Sequence, residues 1–321
     1  MMEETQILTN QSGTRPLPAR TRPPGKESNI LESSFERVHK RRKRVQQVLF
    51  MLFRIAAIIN GIGLFVVVLF VAGKGWNAIS WAFLTQAPTD SMTKGGILPC
   101  IVGTLCLGIG AIVVALPIGV ASAIYLNEYA RPGRVLRLIR LGISNLAGVP
   151  SVVFGLFGLA FFVIWMGMGE CILAGVLTLA ALTLPVIIGS TEEALKSVPN
   201  TYREASLALG ATRWQSIYRV VLPAALPGIL TGAILGLSRA AGETAPIMFT
   251  AAVFFTPTLP TSPFSKIMAL PYHIYVLATA GTHIEATRPL QYGTALVLIV
   301  MVLGMNLVAI VWRARLRKRM K

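Results

Sequence analysis

Apolar and polar positions follow one another in long blocks along this chain. Six stretches, near 48–72, 96–126, 141–166, 171–191, 224–252 and 292–312, stay apolar over the roughly 20 residues that an α-helix needs to cross a bilayer. The second and fifth are longer than that, and Pro117 and Pro246 are placed to kink them. Only a few residues around Gly167, Gly169 and Glu170 separate the third from the fourth, which predicts a tight hairpin. The pattern gives an all-α integral membrane protein of six transmembrane helices. Residues 1–47 are rich in Pro, Arg, Glu, Ser and Thr without apolar periodicity, and are expected to be a disordered basic tail. The first span is 48–72, and 73–95 is an external loop. A core of five helices occupies 96–312, including a polar loop at 192–222 and a second, outer loop at 253–291, and 313–321 is a basic tail. The first long apolar run begins only near Val48 and no small-residue cleavage site follows it, so it reads as a span and not as a signal peptide.

The polar stretch from Pro199 to Pro223 has a pattern of its own, two short helices meeting at a corner. Tyr202, Ala205, Ser206 and Leu209 fall at i, i+3, i+4 and i+7, giving the first helix a face of apolar and small residues. Gly210 stands where a left-handed residue would end that helix. Thr212 with Gln215 three residues on is a capping box that starts the second helix. Ile217, Val220 and Val221 form its apolar side, and Pro223 is expected to limit it. Such a corner, held by a span on either side, is suited to docking on another protein.

Composition supports the membrane reading. Hydrophobic residues make up 54% of the chain and charged residues 13%, about half the charge of a soluble domain. The net charge of +17 raises the question of nucleic acid, and its distribution answers it. Twenty-four of the Lys and Arg residues lie in the N-terminal tail, the loop after the second span (Arg131, Arg134, Arg137, Arg140), the 192–222 loop and the C-terminal tail. Only Lys74, Lys94, Lys266 and Arg288 lie in the loops of the opposite side. That asymmetry is a topology signal, placing both termini and the 199–223 corner in the cytoplasm, with anionic membrane lipids as neighbours and no nucleic acid. Cys100, Cys106 and Cys171 lie in or beside apolar segments without a CxxC pair, and read as small hydrophobes.

Arg239 and Glu243 lie inside the fifth apolar segment with no other charge close by. Each costs ~2.5–3.5 kcal/mol at a helix centre, so both should face protein or water. Their i, i+4 spacing puts them on one face, where they can neutralise each other. Two readings stay open: an anion site on a translocation path, where the planar guanidinium meets an oxyanion, or a buried ion pair that holds helices together. Gly228, Gly232 and Gly236 recur every four residues just before them, a row that lets a second helix approach closely. No G-x-x-x-x-G-K-[ST], HExxH or G-x-S-x-G is present, so no catalytic, metal or ATP site is expected in the chain itself.

Glu204-Ala205, then Gly210 six residues after the Glu, Ile217 and the pair Leu222-Pro223 resemble the EAA loop of bacterial ABC-importer permeases. The chain reads Glu-Ala-Ser where that loop has Glu-Ala-Ala, a small-for-small change. The segments LSRAAGETAPIMFTA, NLAGVPSVVFGLFG (Asn145–Gly158) and LPYHIY (Leu270–Tyr275) narrow the resemblance to phosphate-transport permeases of the PstA type, over roughly residues 48–315. The resemblance implies a type I ABC importer permease fold with a cytoplasmic coupling helix, in a bacterial inner membrane. Its partners would be a PstC-like second permease subunit, a homodimer of the ATP-binding subunit, and a periplasmic phosphate-binding protein. ATP and magnesium would be held by the ATPase partner. Tyr202, Arg203, Glu204, Ala205, Leu209 and Gly210 would dock the ATPase, and Arg239 and Glu243 would line or gate the phosphate route. Rival readings are a permease for sulfate, molybdate or an amino acid, an ion-coupled secondary transporter, and a membrane-embedded enzyme.

Overall fold

A computed structural model of the chain describes residues 26–92, 94–280 and 284–319. It is helical almost throughout. Helix α1 spans Lys26–Gly75 and α2 spans Trp81–Thr85, followed by a two-stranded antiparallel hairpin of β1 (Pro88–Thr89) and β2 (Lys94–Gly95). Helix α3 (Leu98–Ile124) runs on into a π turn at Tyr125–Tyr129. Helix α4 (Arg134–Ala147) precedes α5 (Ser151–Gly158), which also continues as a π turn to Trp165. Then come α6 (Ile172–Lys196), α7 (Asn200–Ala208), α8 (Arg213–Ser216), α9 (Leu222–Gly242), α10 (Ala245–Thr250), α11 (Leu270–Thr279) and α12 (Ile284–Arg319).

Among the described residues five helices are long and apolar enough to cross a membrane: Gln46–Ala78, Leu98–Tyr129, Ile172–Lys196, Arg213–Gly242 and Thr287–Leu316. A sixth span exists only if α4 and α5 count as one broken span, bent by 100°. The expected single helix over 141–166 is therefore two helices. Gly148 ends α4, and Pro150 holds an extended backbone (φ −57°, ψ 140°) that also keeps Val149 from continuing the helix. The fifth segment, expected over 224–252, breaks as well: α9 stops at Gly242 and Pro246 sits in the first turn of α10. Pro117 stays inside α3 without ending it.

Three further expectations are corrected. Residues 1–25 of the expected disordered tail lie outside the described residues, but from Lys26 onward the chain is helical. No Gly or Pro occurs between Glu27 and Asn60, and Glu, Lys, Arg and Gln are good helix formers, so the nucleated span propagates backwards. Pro223 does not limit the second corner helix; the π turn Ile217–Val221 absorbs its missing N–H and α8 passes into α9 as one span. The outer loop 253–291 contains α11 and the start of α12, which runs to Arg319 through most of the expected C-terminal tail.

The chain forms two compact units, one through Val66 and one from Val67 onward. The first contains the exposed apolar side chains of α1 from Val48. In the second, α6 is the hub, the most buried of the spans, with α3 and α9 packed on it. Small residues bring the neighbours close to it. A Cβ at Gly119 of α3 would stand 2.6 Å from Ile187 Cγ2, and one at Gly228 of α9 would stand 2.5 Å from Ala194 Cβ. At Gly232 it would overlap Ser190, and at Gly236 it would press on Ile112 and Ile187. The row of three glycines thus faces α6 and α3. Helix α12 is tied to α9 by Ser238 Oγ donating to Asn306 Oδ1 (2.7 Å) and Arg313 Nη1 donating to Thr231 Oγ1 (2.7 Å). The chain after α10 returns to close the N-terminus of α6: Cys171, Ile172 and Leu173 donate to the carbonyls of Thr250, Ser265 and Pro263. At its own start, α11 donates Leu270 N–H to Thr104 Oγ1 of α3.

The buried side of α11 includes Leu270, Val276 and Leu277, together with His273, whose Nδ1 has no hydrogen-bond partner among the described residues. Burial pushes the His273 pKa down from 6.5 to about 4, so the ring is neutral at neutral pH. Because the folded pKa lies below the unfolded one, stability is full above pH 6.5 and is lost as pH falls from there toward 4. The thermal transition of the detergent-solubilised protein should fall over that window, and a His273→Gln variant should show a smaller fall.

Candidate functional site

The 199–223 corner is built as its turn residues require. Helix α7 ends at Ala208, and Gly210 has φ +83°, a left-handed conformation that glycine adopts without steric cost. Thr212 opens α8 with both capping-box bonds, Gln215 N–H to Thr212 Oγ1 (3.3 Å) and Thr212 N–H to Gln215 Oε1 (2.9 Å). A buried hydrogen bond from Ser206 Oγ to Ser216 Oγ (2.6 Å) locks the two helices at their angle.

The residues expected on one face of α7 do not act together. Ser206 alone turns inward, while Tyr202, Ala205 and Leu209 are exposed, Leu209 at 90%. With Leu207, Trp214 and Tyr218 they give the corner an exposed apolar surface, next to exposed Glu204. The rings of Trp214 and Tyr218 stack at 6.2 Å and 17°. Gly210 sits at the tip.

Arg203 is the exception among the expected docking residues, for its guanidinium is committed within the chain. Nη2 donates to Glu128 Oε1 at 2.9 Å and to the Leu195 carbonyl at 2.9 Å. Nη1 donates to the Val198 carbonyl (2.8 Å) and to Asn200 Oδ1 (3.2 Å), and Nε reaches Glu128 Oε2 at 3.4 Å. Both partners are largely shielded, Arg203 at 18% and Glu128 at 12% exposure. One side chain thereby ties α7 to the end of the α3 span and to the end of α6. A second clamp lies at the same end of α6, where Arg140 of α4 donates to Glu192 Oε1 (3.1 Å) and to the Leu126 carbonyl (3.2 Å), and Lys196 reaches Glu192 Oε2 (3.5 Å). Glu128, Arg140 and Glu192 were not singled out by the sequence. The available signal was the position of each carboxylate at the end of a long apolar run, in a chain with only 13 Asp and Glu.

Arg239 and Glu243 come together as their spacing requires, but loosely. Arg239 occupies the last turn of α9, where a cation is favoured by the helix dipole, and Glu243 follows the final helical residue. Their Nε to Oε1 distance is 3.5 Å, long for a charge-assisted hydrogen bond, and no other partner of Arg239 exists among the described residues. Arg239 lies three residues beyond Gly236 in α9, whereas Glu243 has left the helix with an extended backbone (ψ 134°). The pair is 32% and 16% exposed.

With this geometry in view, the fold is that of ABC-transporter permeases. The structure superposes on a chain in the crystal structure of a bacterial alginate ABC transporter in complex with an alginate pentasaccharide-bound periplasmic protein, with a TM-score of 0.58, covering 88% of this chain and 98% of that one at 16% identity. Residues 115–321 match the family described as binding-protein-dependent transport system inner membrane components, and the chain belongs to that family. The "Probable ABC transporter permease protein YqgI" of Bacillus subtilis is 35% identical over 266 residues, 79% of this chain and 88% of its own length. "Phosphate transport system permease protein PstA 1" of Mycobacterium tuberculosis is 36% identical over 244 residues, 74% of this chain and 79% of its own length.

The Arg203–Glu128 clamp has a measurable consequence. Glu128→Gln leaves a shielded guanidinium without its counter-charge and should cost about 2 kcal/mol or more, nearer the value of a buried pair than of an exposed one. Thermal denaturation of the purified protein checks this, and the Glu128→Gln/Arg203→Gln double variant should lose less than the sum of the two single changes.

Proposed function

We propose that this chain is a transmembrane subunit of an ATP-driven importer of inorganic phosphate, paired with a second permease subunit of its own family. Both termini and the 199–223 corner lie on the cytoplasmic side, in keeping with the Lys and Arg asymmetry of the loops. Two ATP-binding subunits dock beneath the pair, one of them on the exposed apolar surface around Leu209, and they hold the ATP and magnesium. A periplasmic phosphate-binding protein delivers the solute to the opposite side. Closure of the ATPase dimer shifts the corner as a rigid body, and the helices joined to it tilt between outward- and inward-facing arrangements.

The observation that carries the phosphate route is the contrast between two arginines. Arg203 has five close contacts and no spare capacity, whereas Arg239 holds one carboxylate oxygen at 3.5 Å and keeps most of its planar fork open. An open guanidinium within a span matches the paired oxygens of a phosphate, and Glu243 can accept a proton from the partly protonated anion. The names of relatives such as the Mycobacterium tuberculosis protein support phosphate as the solute.

Radiolabelled phosphate uptake by cells carrying the complete transporter tests both parts. Arg239→Ala should lower uptake about 10-fold or more while the ATPase subunit still co-purifies, since a hydrogen bond to a charged group contributes about 1.5–3 kcal/mol. Leu209→Asp should abolish uptake together with co-purification. Uptake inhibited by excess sulfate or molybdate as strongly as by phosphate would contradict the assigned solute.

A further inference from the structure

Helix α4 is amphipathic, with a half-buried side, an exposed apolar side and an exposed basic side. Leu136, Arg140 and Ile143 form the half-buried stripe, and Arg140 fixes its rotation through Glu192. Val135, Ile139 and Leu146, flanked by Leu138, form a second side, apolar and exposed, with Val135 at 72% and Leu138 at 70%. Arg134, Arg137 and Ser144 form a third, exposed and interrupted by exposed Leu141, and Arg131 stands just ahead of it. Arg131, Arg134 and Arg137 have no carboxylate partner among the described residues. The helix is set at 100° to the apolar α5 that follows it, so an α5 running along the bilayer normal lays α4 nearly flat.

An exposed apolar side beside an unpaired basic side, on a helix bent by 100° from the apolar helix that follows it, is the arrangement of an interfacial helix. We infer that α4 lies in the membrane interface and binds anionic phospholipid headgroups through Arg131, Arg134 and Arg137, with Val135, Ile139 and Leu146 resting on acyl chains. Charge complementarity selects this occupant. Three arginines without counter-charges fit a surface of headgroup phosphates, whereas a protein partner would have to supply an acidic strip and an apolar strip side by side along the same 14 residues. Through the Arg140–Glu192 clamp, the lipid-bound helix is fixed to the same end of α6 from which the 199–223 corner departs. The membrane surface therefore supplies a fixed reference against which the corner moves. This inference depends on the chain being a membrane protein and not on which solute it carries.

The test uses the assembled transporter in liposomes, with a fluorophore attached at Val135→Cys and bromine-labelled lipids as quenchers. Brominated phosphatidylglycerol should quench more strongly than brominated phosphatidylcholine at equal mole fraction. That preference should fall about fivefold for each arginine removed in Arg134→Gln and Arg137→Gln, and the corresponding Arg→Lys changes should preserve most of it. Equal quenching by the two lipids would overturn the headgroup assignment. Quenching by neither lipid would show that a protein surface or water covers the helix, and would overturn the inference altogether.

Discussion

A guanidinium withdrawn from water has to find acceptors for its N–H groups and a counter-charge for itself, and Arg203 meets that demand with three different parts of the chain. Glu128 comes from the end of the α3 span, the Leu195 and Val198 carbonyls from the end of α6, and Asn200 from the first turn of α7. The corner is thereby fastened to two membrane helices at once. Its own angle is held by the Ser206–Ser216 bond and the capping box at Thr212. A force applied at the exposed tip has little compliance to act on before it reaches α3 and α6.

Beyond the clamp, the same rigidity continues through small residues. The glycines of α9 place its backbone against α6, and the hydroxyls of Thr231 and Ser238 bind it to α12. These contacts are steric and directional, and they join α6, α9 and α12 into one packed unit. At the C-terminal end of α9, Arg239 meets only Glu243, at 3.5 Å, among the described residues. Arg203, by contrast, spends its whole guanidinium within the chain.

How much of this was legible in the sequence depends on the physical signal each feature leaves. The spans, the hairpin at Gly167 and Gly169, the turn at Gly210 and the capping box at Thr212 each rest on local chemistry that the residues themselves carry. The break at Pro150 was hidden because hydropathy averages along the chain and is blind to a 100° bend, whereas Pro246 marked the fifth segment for a kink. The recurring Arg134, Arg137 and Arg140 were the sign that an amphipathic helix starts before the third apolar segment, and counting them only as loop charges concealed it. The resemblance to the EAA loop placed Arg203 on the docking surface with its neighbours, yet one position along a helix turns a side chain by about 100°. Its partner Glu128 lies 75 residues away, and such a pairing is written in the tertiary fold alone.

The central claim is that the Arg203–Glu128 junction transmits work from the nucleotide-hydrolysing partner to the spans. Simultaneous measurement of ATP hydrolysis and phosphate uptake, in proteoliposomes holding the complete transporter with Arg203→Lys, tests it most directly. Lysine keeps the charge but gives up the planar fork. The account predicts that phosphate moved per ATP hydrolysed falls severalfold while hydrolysis persists; an unchanged ratio of uptake to hydrolysis would contradict it.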